Sequence, residues 1–206
     1  INATASGRTG AIDPLLVAFS DQENAAEWEP LSTNTAGSLR CSAGSQIIGG
    51  LRARQETLIW TDVALYSLQF IGAPLTFGLT LINEGISLIG PNAPVNTPTG
   101  IFWMDKKGFY AYQGSVQPIP CSVHSYVFDD LNEGQAFQVF GFLNKQFNEV
   151  GWFYCSGSSE TIDRYVTYNY VDQTWAIGQL ARTAWLDEGI ANVPRAAGYD
   201  LSLIHI

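Results

Sequence analysis

The sequence predicts an all-β protein with a β-propeller-like fold, in which about four four-stranded blades are recognisable and the propeller is incomplete. Charged residues make up only 14% of the chain, whereas Gly (20), Phe (11), Tyr (9) and Trp (6) are frequent, as in proteins built from short strands and tight turns. Sequence motifs recur at blade-length intervals, and no stretch of about 12 residues shows an apolar stripe at helical spacing. We therefore expect one partial propeller domain over residues 1–200.

An aromatic residue followed two positions later by aspartate recurs along the chain. The aromatic positions are separated by 41, 43 and 49 residues, which suits either propeller blades or helical repeats of about 40 to 50 residues. The repeat positions are Phe19 and Asp21, Trp60 and Asp62, Trp103 and Asp105, and Trp152, where the aspartate is lost, with Trp175 on a later strand of the last block.

Strand patterns beside these positions favour propeller blades over helical repeats. Residues 65–70 and 108–114 follow the second and third motifs and are rich in β-forming residues, which predicts a hairpin in each block. In the last block, residues 150–154 and 164–170 are expected to pair, and a turn then leads into the strand that contains Trp175.

The repeated tryptophans and aspartates are interpreted as structural residues. Neighbouring propeller blades pack face to face, so the same inner-strand position needs a large, flat, apolar side chain in every blade. An aspartate two residues later falls where the hairpin turns, and its carboxylate can accept hydrogen bonds from backbone N–H groups. The alternative is a repeated Trp/Asp site for a sugar or a metal ion.

The charge balance is strongly acidic and excludes a DNA-reading role. Ten Lys and Arg residues stand against 19 Asp and Glu residues, for a net charge of −9 and a pI near 4.5. Sequence-specific DNA-binding proteins need clustered basic residues to neutralise the phosphates of the DNA backbone. An acidic surface would instead suit the wall of a conduit through which DNA slides without adhering.

Few residues suggest catalysis or metal binding, and we predict no catalytic, cofactor-binding or metal-binding residues. His124 follows Cys121, but on an extended segment residues three apart point to opposite faces and cannot share a proton. Asp129, Asp130 and nearby Glu133 supply oxygen ligands without the spacing of a calcium loop. They are better interpreted as a polar turn beginning a short helix within residues 127–140.

The three cysteines are expected to be free thiols. They are Cys41, Cys121 and Cys155, an odd number with no short spacing between any two. The acidic and aromatic residues leave a second function open, a host-surface glycan-binding or glycan-cleaving propeller. Because Asp62 and Asp105 are expected at equivalent turns of neighbouring blades, they favour a structural role over a paired acid and base.

Four segments in order resemble the β-propeller portion of tail hub, or nozzle, proteins of tailed bacteriophages, also called tail tubular or phage stabilisation proteins. They are residues 17–30 (VAFSDQENAAEWEP), 58–82 (LIWTDVALYSLQFIGAPLTFGLTLI), 101–123 (IFWMDKKGFYAYQGSVQPIPCSV) and 147–185, which begins FNEVGWFYCSG. The resemblance covers most of residues 15–200, and its specificity lies in the order and spacing of the segments.

This resemblance implies a non-enzymatic structural protein of the virion. Members of the family assemble as rings of identical subunits below the portal and adaptor, close the tail after DNA packaging, and form the channel for genome ejection. The implied partners are other copies of the chain, the portal and adaptor, other tail proteins, and packaged DNA as a non-adhering passenger. The implied location is the phage tail, with the host cytoplasm during assembly and no membrane insertion.

The last six residues, 201–206 (LSLIHI), are expected to be a non-native tail, because they resemble translated adapter sequence. No apolar run reaches the roughly 18 residues that cross a bilayer, so we expect a soluble protein.

Overall fold

Antiparallel strands account for nearly all of the regular structure, which confirms the predicted all-β, propeller-like fold. The computed structural model describes residues 12–187 and 193–199, and the backbone of residues 203–205. The sequence predicted one domain, and the chain divides into two compact units, Ile1–Ser87 and Leu88–Ile206. The division falls just before the loop of residues 89–100 that is rich in Pro, Asn and Gly.

The first unit begins with a two-stranded sheet. Strand β1 (Leu16–Phe19) pairs antiparallel with β2 (Gly37–Arg40), and Phe19 lies opposite Gly37. A Cβ atom at Gly37 would lie 2.5 Å from the nearest carbon of the Phe19 ring, so the ring lies directly across the glycine. The absence of a side chain at Gly37 thus determines where the Phe19 ring sits.

A four-stranded meander completes the first unit. Its strands are β3 (Ile47–Arg52), β4 (Glu56–Thr61), β5 (Ala64–Gly72) and β6 (Thr76–Glu84), hydrogen-bonded in chain order. The run Leu58, Ile59 and Trp60 is entirely buried, so both faces of β4 are covered. This explains why β4 shows a continuous apolar run in place of the alternation expected of a half-exposed strand.

The second unit contains two more four-stranded meanders. The first consists of β7 (Val95–Thr97), β8 (Gly100–Met104), β9 (Phe109–Tyr112) and β10 (Val116–Ile119), again in chain order. Strands β8 and β9 are joined by the short turn that was predicted after Trp103. Short polar turns between consecutive strands produce this up-and-down arrangement.

The next meander matches the predicted pairing of the last block. Its strands are β11 (Phe140–Asn144), β12 (Glu149–Tyr154), β13 (Arg164–Asn169) and β14 (Thr174–Gln179). Strand β12 pairs with β13, as predicted, and Trp152 lies opposite Val166.

Short helical segments lie between the two meanders of the second unit and within the later one. Helix α1 (His124–Phe128) is followed by a 3-10 turn at Glu133–Gln138, and a second 3-10 turn at Lys145–Phe147 links β11 to β12. The predicted helical turn within residues 127–140 is therefore present, although α1 begins three residues earlier.

A three-stranded sheet closes the second unit. It contains β15 (Ala184–Leu186), β16 (Arg195–Ala197) and β17 (Leu203–His205), with β16 in the centre. The backbone of β17 belongs to the predicted tail, and residues 201, 202 and 206 of that tail lie outside the described residues. Its non-native origin stays a prediction.

Separate cores support the two units. In the first unit, the buried cluster comprises Leu15, Val17, Cys41, Ile47, Ile59, Ala64 and Tyr66. In the second unit, Phe109 of β9 packs against Trp152 of β12 at a centroid distance of 4.8 Å, which joins the two meanders. No helix among the described residues is long and apolar enough to cross a membrane.

Candidate functional site

Three of the repeated tryptophans occupy the same place in their sheets. Trp60, Trp103 and Trp152 lie on β4, β8 and β12, each the second strand of a four-stranded meander, and all three have no exposed surface. Full burial of so large a side chain makes it a major contributor to packing. The repeated motif therefore coincides with a repeated structural position.

The other two aromatic positions have different surroundings. Phe19 is half-buried on β1 and packs edge-on against Phe77 at a centroid distance of 4.9 Å. Trp175 lies on β14, the fourth strand of its meander, and donates its indole N–H to the carbonyl oxygen of Pro120 over 2.9 Å. Neither residue lies on the second strand of a meander.

Two of the repeated aspartates hold loops through the same pair of contacts. Asp21 accepts hydrogen bonds from both the backbone N–H and the hydroxyl of Thr35, each at 2.7 Å. Asp62 accepts the same two kinds of bond from Ser45, again each at 2.7 Å. These contacts match the predicted role of an aspartate that accepts from backbone N–H groups.

The hydrogen bonds lower the pKa of both carboxyl groups. For Asp21, the N–H and the hydroxyl of Thr35 stabilise the ionised form and lower the pKa. For Asp62, burial alone would raise the pKa, but the bonds from Ser45 and the N–H of Gln46 outweigh burial and lower it. Both side chains are therefore ionised at neutral pH.

A third pair of this type was missed from the sequence. Asp163 accepts hydrogen bonds from the N–H of Ser156 at 2.8 Å and from its hydroxyl at 2.7 Å. The pair closes the loop between β12 and β13. A serine seven residues before an aspartate is too common a pattern to have revealed it.

The remaining motif positions are buried. Asp105 is 5% exposed, and its backbone N–H donates to the carbonyl oxygen of Gly108 over 2.8 Å, which closes the turn between β8 and β9. Tyr154 stands where the third meander would carry the aspartate and has no exposed surface. Burial is the main cause of its raised pKa.

The structure corrects the expected conformation around His124. The segment after Cys121 is a turn that leads into α1, not an extended strand, because His124 itself begins the helix. The imidazole is exposed, its Nε2 lies 3.0 Å from the carbonyl oxygen of Lys107, and its ring stacks on Phe128. These contacts place it on the surface beside the β8–β9 turn.

The acidic segment after α1 forms a polar turn. Asp129 caps the end of α1, and Asp130 pairs with Arg164 at 3.2 Å. Asn132 caps the following 3-10 turn by accepting from the N–H of Gly134. Among the described residues, no group of three or more His, Cys, Asp or Glu side chains is arranged to hold a metal ion.

The structure also shows a cavity in the first unit that the sequence did not reveal. It has a volume of about 760 Å³ and lies between the loop of residues 20–35 and the β5–β6 hairpin. We call it the unit-1 pocket. Its apolar wall contains Phe19, Phe70 and Phe77, and polar side chains from the loop form its rim.

Specific contacts hold both sides of the unit-1 pocket. On one side, the Thr35 hydroxyl accepts from the N–H of Gln22 over 2.9 Å while it donates to Asp21. On the other side, the hairpin turns between Gly72 and Thr76, both of which have positive φ. The hydroxyl of Thr76 donates to the carbonyl oxygen of Thr35 over 3.4 Å and thereby links the two sides.

A smaller cleft of about 270 Å³ lies in the second unit. Phe102, Tyr168 and Tyr170 line it together with glutamine and proline side chains. Phe102 and Tyr170 stack at a centroid distance of 5.9 Å. This close aromatic packing makes the cleft part of the contact between the two meanders.

No protein-family model matches this chain, and no curated protein sequence matches it.

Proposed function

We propose that this chain is a non-enzymatic structural subunit of a bacteriophage tail hub, or nozzle. In this role the chain assembles with further copies of itself into a ring, contacts the portal or adaptor and other tail proteins, and lines the conduit for the genome. The observation that carries the proposal is the repeated meander in which Trp60, Trp103 and Trp152 occupy one equivalent position. The four ordered sequence segments that resemble tail hub proteins give this repeat its functional interpretation.

The repeat supports a mechanical role because its most prominent residues are used in packing. The three tryptophans have no exposed surface, and Asp21 and Asp62 are engaged with Thr35 and Ser45. Groups used in this way hold strands and loops together. A body built from such repeated sheets suits a subunit whose role is mechanical.

The acidic composition supports a conduit for DNA. A net charge of −9 repels the phosphate backbone, so an acidic wall would let DNA pass without adhering. Salt screens both attraction and repulsion between solvent-exposed charges, so any attraction of the ring for DNA would be strongest at low ionic strength. We expect the ring to retain no duplex DNA even under that condition.

The oligomeric state of the complete gene product tests this proposal. We expect light scattering after size-exclusion chromatography to give a mass several times that of one subunit, and negative-stain images to show closed rings, with or without an added adaptor ring. A closed ring is the outcome expected of a symmetric hub. The Trp152→Phe variant, which is destabilised, should give fewer rings than the wild type, whereas the surface variant Trp28→Phe should form rings like the wild type.

A stable, folded monomer that forms no ring with or without the adaptor would overturn the proposal. Tight binding of duplex DNA by the ring at low salt would separately contradict the non-adhering conduit.

A further inference from the structure

We propose that the unit-1 pocket is a binding site for an uncharged saccharide. The site does not depend on the tail-hub function, because a ring subunit and a monomer could equally carry it. Its volume of about 760 Å³ lies within the range of about 300–1,000 Å³ that is common for small-molecule sites.

Three phenylalanine rings form an apolar platform. Phe77 stands between the other two, with ring centroids 4.9 Å from Phe19 and 5.8 Å from Phe70, both in edge-on geometry. Phe70 is 71% exposed, so most of its ring surface is open to solvent. The C–H-rich face of a sugar ring can cover such a surface and remove apolar area from water.

Polar groups along the rim are available to a ligand. The side chains of Ser20, Gln22 and Ser32 line the pocket and make no hydrogen bond with any residue that the structure describes. Asp21 accepts both hydrogen bonds from Thr35 through Oδ1, and a carboxylate has acceptor capacity for more than these two bonds. Hydroxyl, amide and carboxylate groups together can both donate to and accept from sugar hydroxyls.

The charge of the pocket selects against anions. Among the described residues that line it, none is Lys, Arg or His, and only Asp21 carries a charge. Hydrogen bonds from Thr35 lower the pKa of Asp21, so the carboxylate is ionised at neutral pH. An acidic sugar or a phosphate would therefore be repelled, whereas an uncharged hydroxyl would be a favourable donor to this carboxylate.

The arrangement of the rings favours a saccharide over an organic cation. Cation recognition uses the faces of several aromatic rings directed at one point. Here both ring pairs are in edge-to-face contact, with interplanar angles of 65° and 78°, so in each pair one ring face is covered by the neighbouring ring and is not directed at a shared centre. The hydroxyl and amide side chains of the rim, which have no hydrogen-bond partner among the described residues, would also contribute little to binding a quaternary ammonium group.

Ligand-detected saturation-transfer NMR with the 206-residue chain tests the site. The probes are maltotetraose, cellotetraose and chitotetraose as neutral oligosaccharides, with sialyllactose as an anion and choline chloride as a cation. We expect at least one neutral tetrasaccharide to bind and neither charged probe to compete with it. Isothermal titration calorimetry with that saccharide would then give its Kd.

Variants at exposed positions locate the binding. Phe70→Ala should weaken binding by at least about tenfold, the equivalent of roughly 1.4 kcal/mol, and Gln22→Ala should weaken it by a smaller factor. The matched control is Phe137→Ala, which removes another exposed phenylalanine, 64% exposed, that does not line the pocket. It should bind like the wild type, and all three variants should retain the wild-type melting temperature.

Three outcomes would overturn the proposal: no binding of any neutral tetrasaccharide, stronger binding of choline or sialyllactose, or equal Kd values for Phe70→Ala and the wild type. The ring assay tests the tail-hub function separately, so the failure of one proposal does not decide the other.

Discussion

Trp152 donates its indole N–H to the carbonyl oxygen of Ala93 over 2.8 Å, and both residues are fully buried. The bond joins the second strand of one meander to the segment that precedes the neighbouring meander. It gives the repeated tryptophan a polar contact in addition to its packing surface. A buried carbonyl oxygen deprived of such a donor is costly, because water cannot replace it.

The first prediction concerns this bond. Replacing Trp152 with phenylalanine removes the donor to Ala93 and leaves a cavity, so we expect the free energy of unfolding to fall by about 2–4 kcal/mol. Urea denaturation followed by tryptophan fluorescence and circular dichroism measures the change.

The control for Trp152 is Trp28→Phe. Trp28 is 42% exposed and also donates its indole N–H to a backbone carbonyl oxygen, that of Ala25, over 2.7 Å. Because water can reach this site, the loss should stay below about 1 kcal/mol. Equal losses in the two variants would contradict the assigned role of the buried bond.

The second prediction concerns close packing at Gly141 in β11. A Cβ atom there would overlap Cγ2 of Val95 and lie 2.7 Å from the carbonyl oxygen of Ala93. Gly141→Ala should therefore lower the free energy of unfolding by about 1–3 kcal/mol, measured by urea denaturation. Gly108→Ala is the matched control, since a Cβ atom at Gly108 would meet nothing within 4 Å. A loss at Gly108 as large as at Gly141 would refute this interpretation.

The third prediction concerns stability in acid. The pKa of Asp21 and that of Asp62 are lower in the folded protein than the usual value of 3.8, so the folded state binds fewer protons than the unfolded state. The stability that this difference contributes is complete above about pH 4 and is lost as the pH falls below it.

Melting temperatures measured from pH 6 to pH 2.5 test this acid dependence. We expect Asp62→Asn to lower the melting temperature at pH 6 and to show a shallower decline in acid than the wild type. Asp172→Asn serves as the control, because the Asp172 carboxylate is exposed and accepts no hydrogen bond from the described residues; it should keep the wild-type decline. The idea fails if Asp62→Asn declines as steeply as the wild type.

The fourth prediction concerns the three free thiols. Cys41 and Cys155 are buried, and burial raises the pKa of each to about 11. Cys121 is partly exposed, although burial raises its pKa as well. Because the thiolate is the reactive form and must also be reachable, we expect an aromatic disulfide reagent at pH 8 to label Cys121 first.

Cysteine variants check this assignment. Cys121→Ser should abolish labelling of the folded protein, whereas Cys155→Ser should leave its rate unchanged; urea should release the remaining thiols in both. Rapid labelling of folded Cys121→Ser would show that a buried thiol is accessible.

Local patterns were sufficient to predict the strands and the repeat. The apolar runs at Trp60, Trp103 and Trp152 predicted inner strands, and the turn residues between them predicted the hairpins, because strand formation and turn formation depend on neighbouring residues. The free state of the three cysteines followed from their number and spacing. The prediction of an extended segment after Cys121 was wrong, because the short helix α1 depends on packing, such as the contact of Phe128 with Phe109.

The sequence by itself determined an all-β chain with a repeated meander, an acidic surface and free thiols, since these properties depend on composition and on residues near one another. Only the tertiary structure decided that Asp163 holds Ser156, that Trp152 donates to Ala93 across 59 residues, and that Phe19, Phe70 and Phe77 share one pocket with the 20–35 loop. Contacts between distant residues depend on how the strands close upon one another, and no local pattern encodes that geometry.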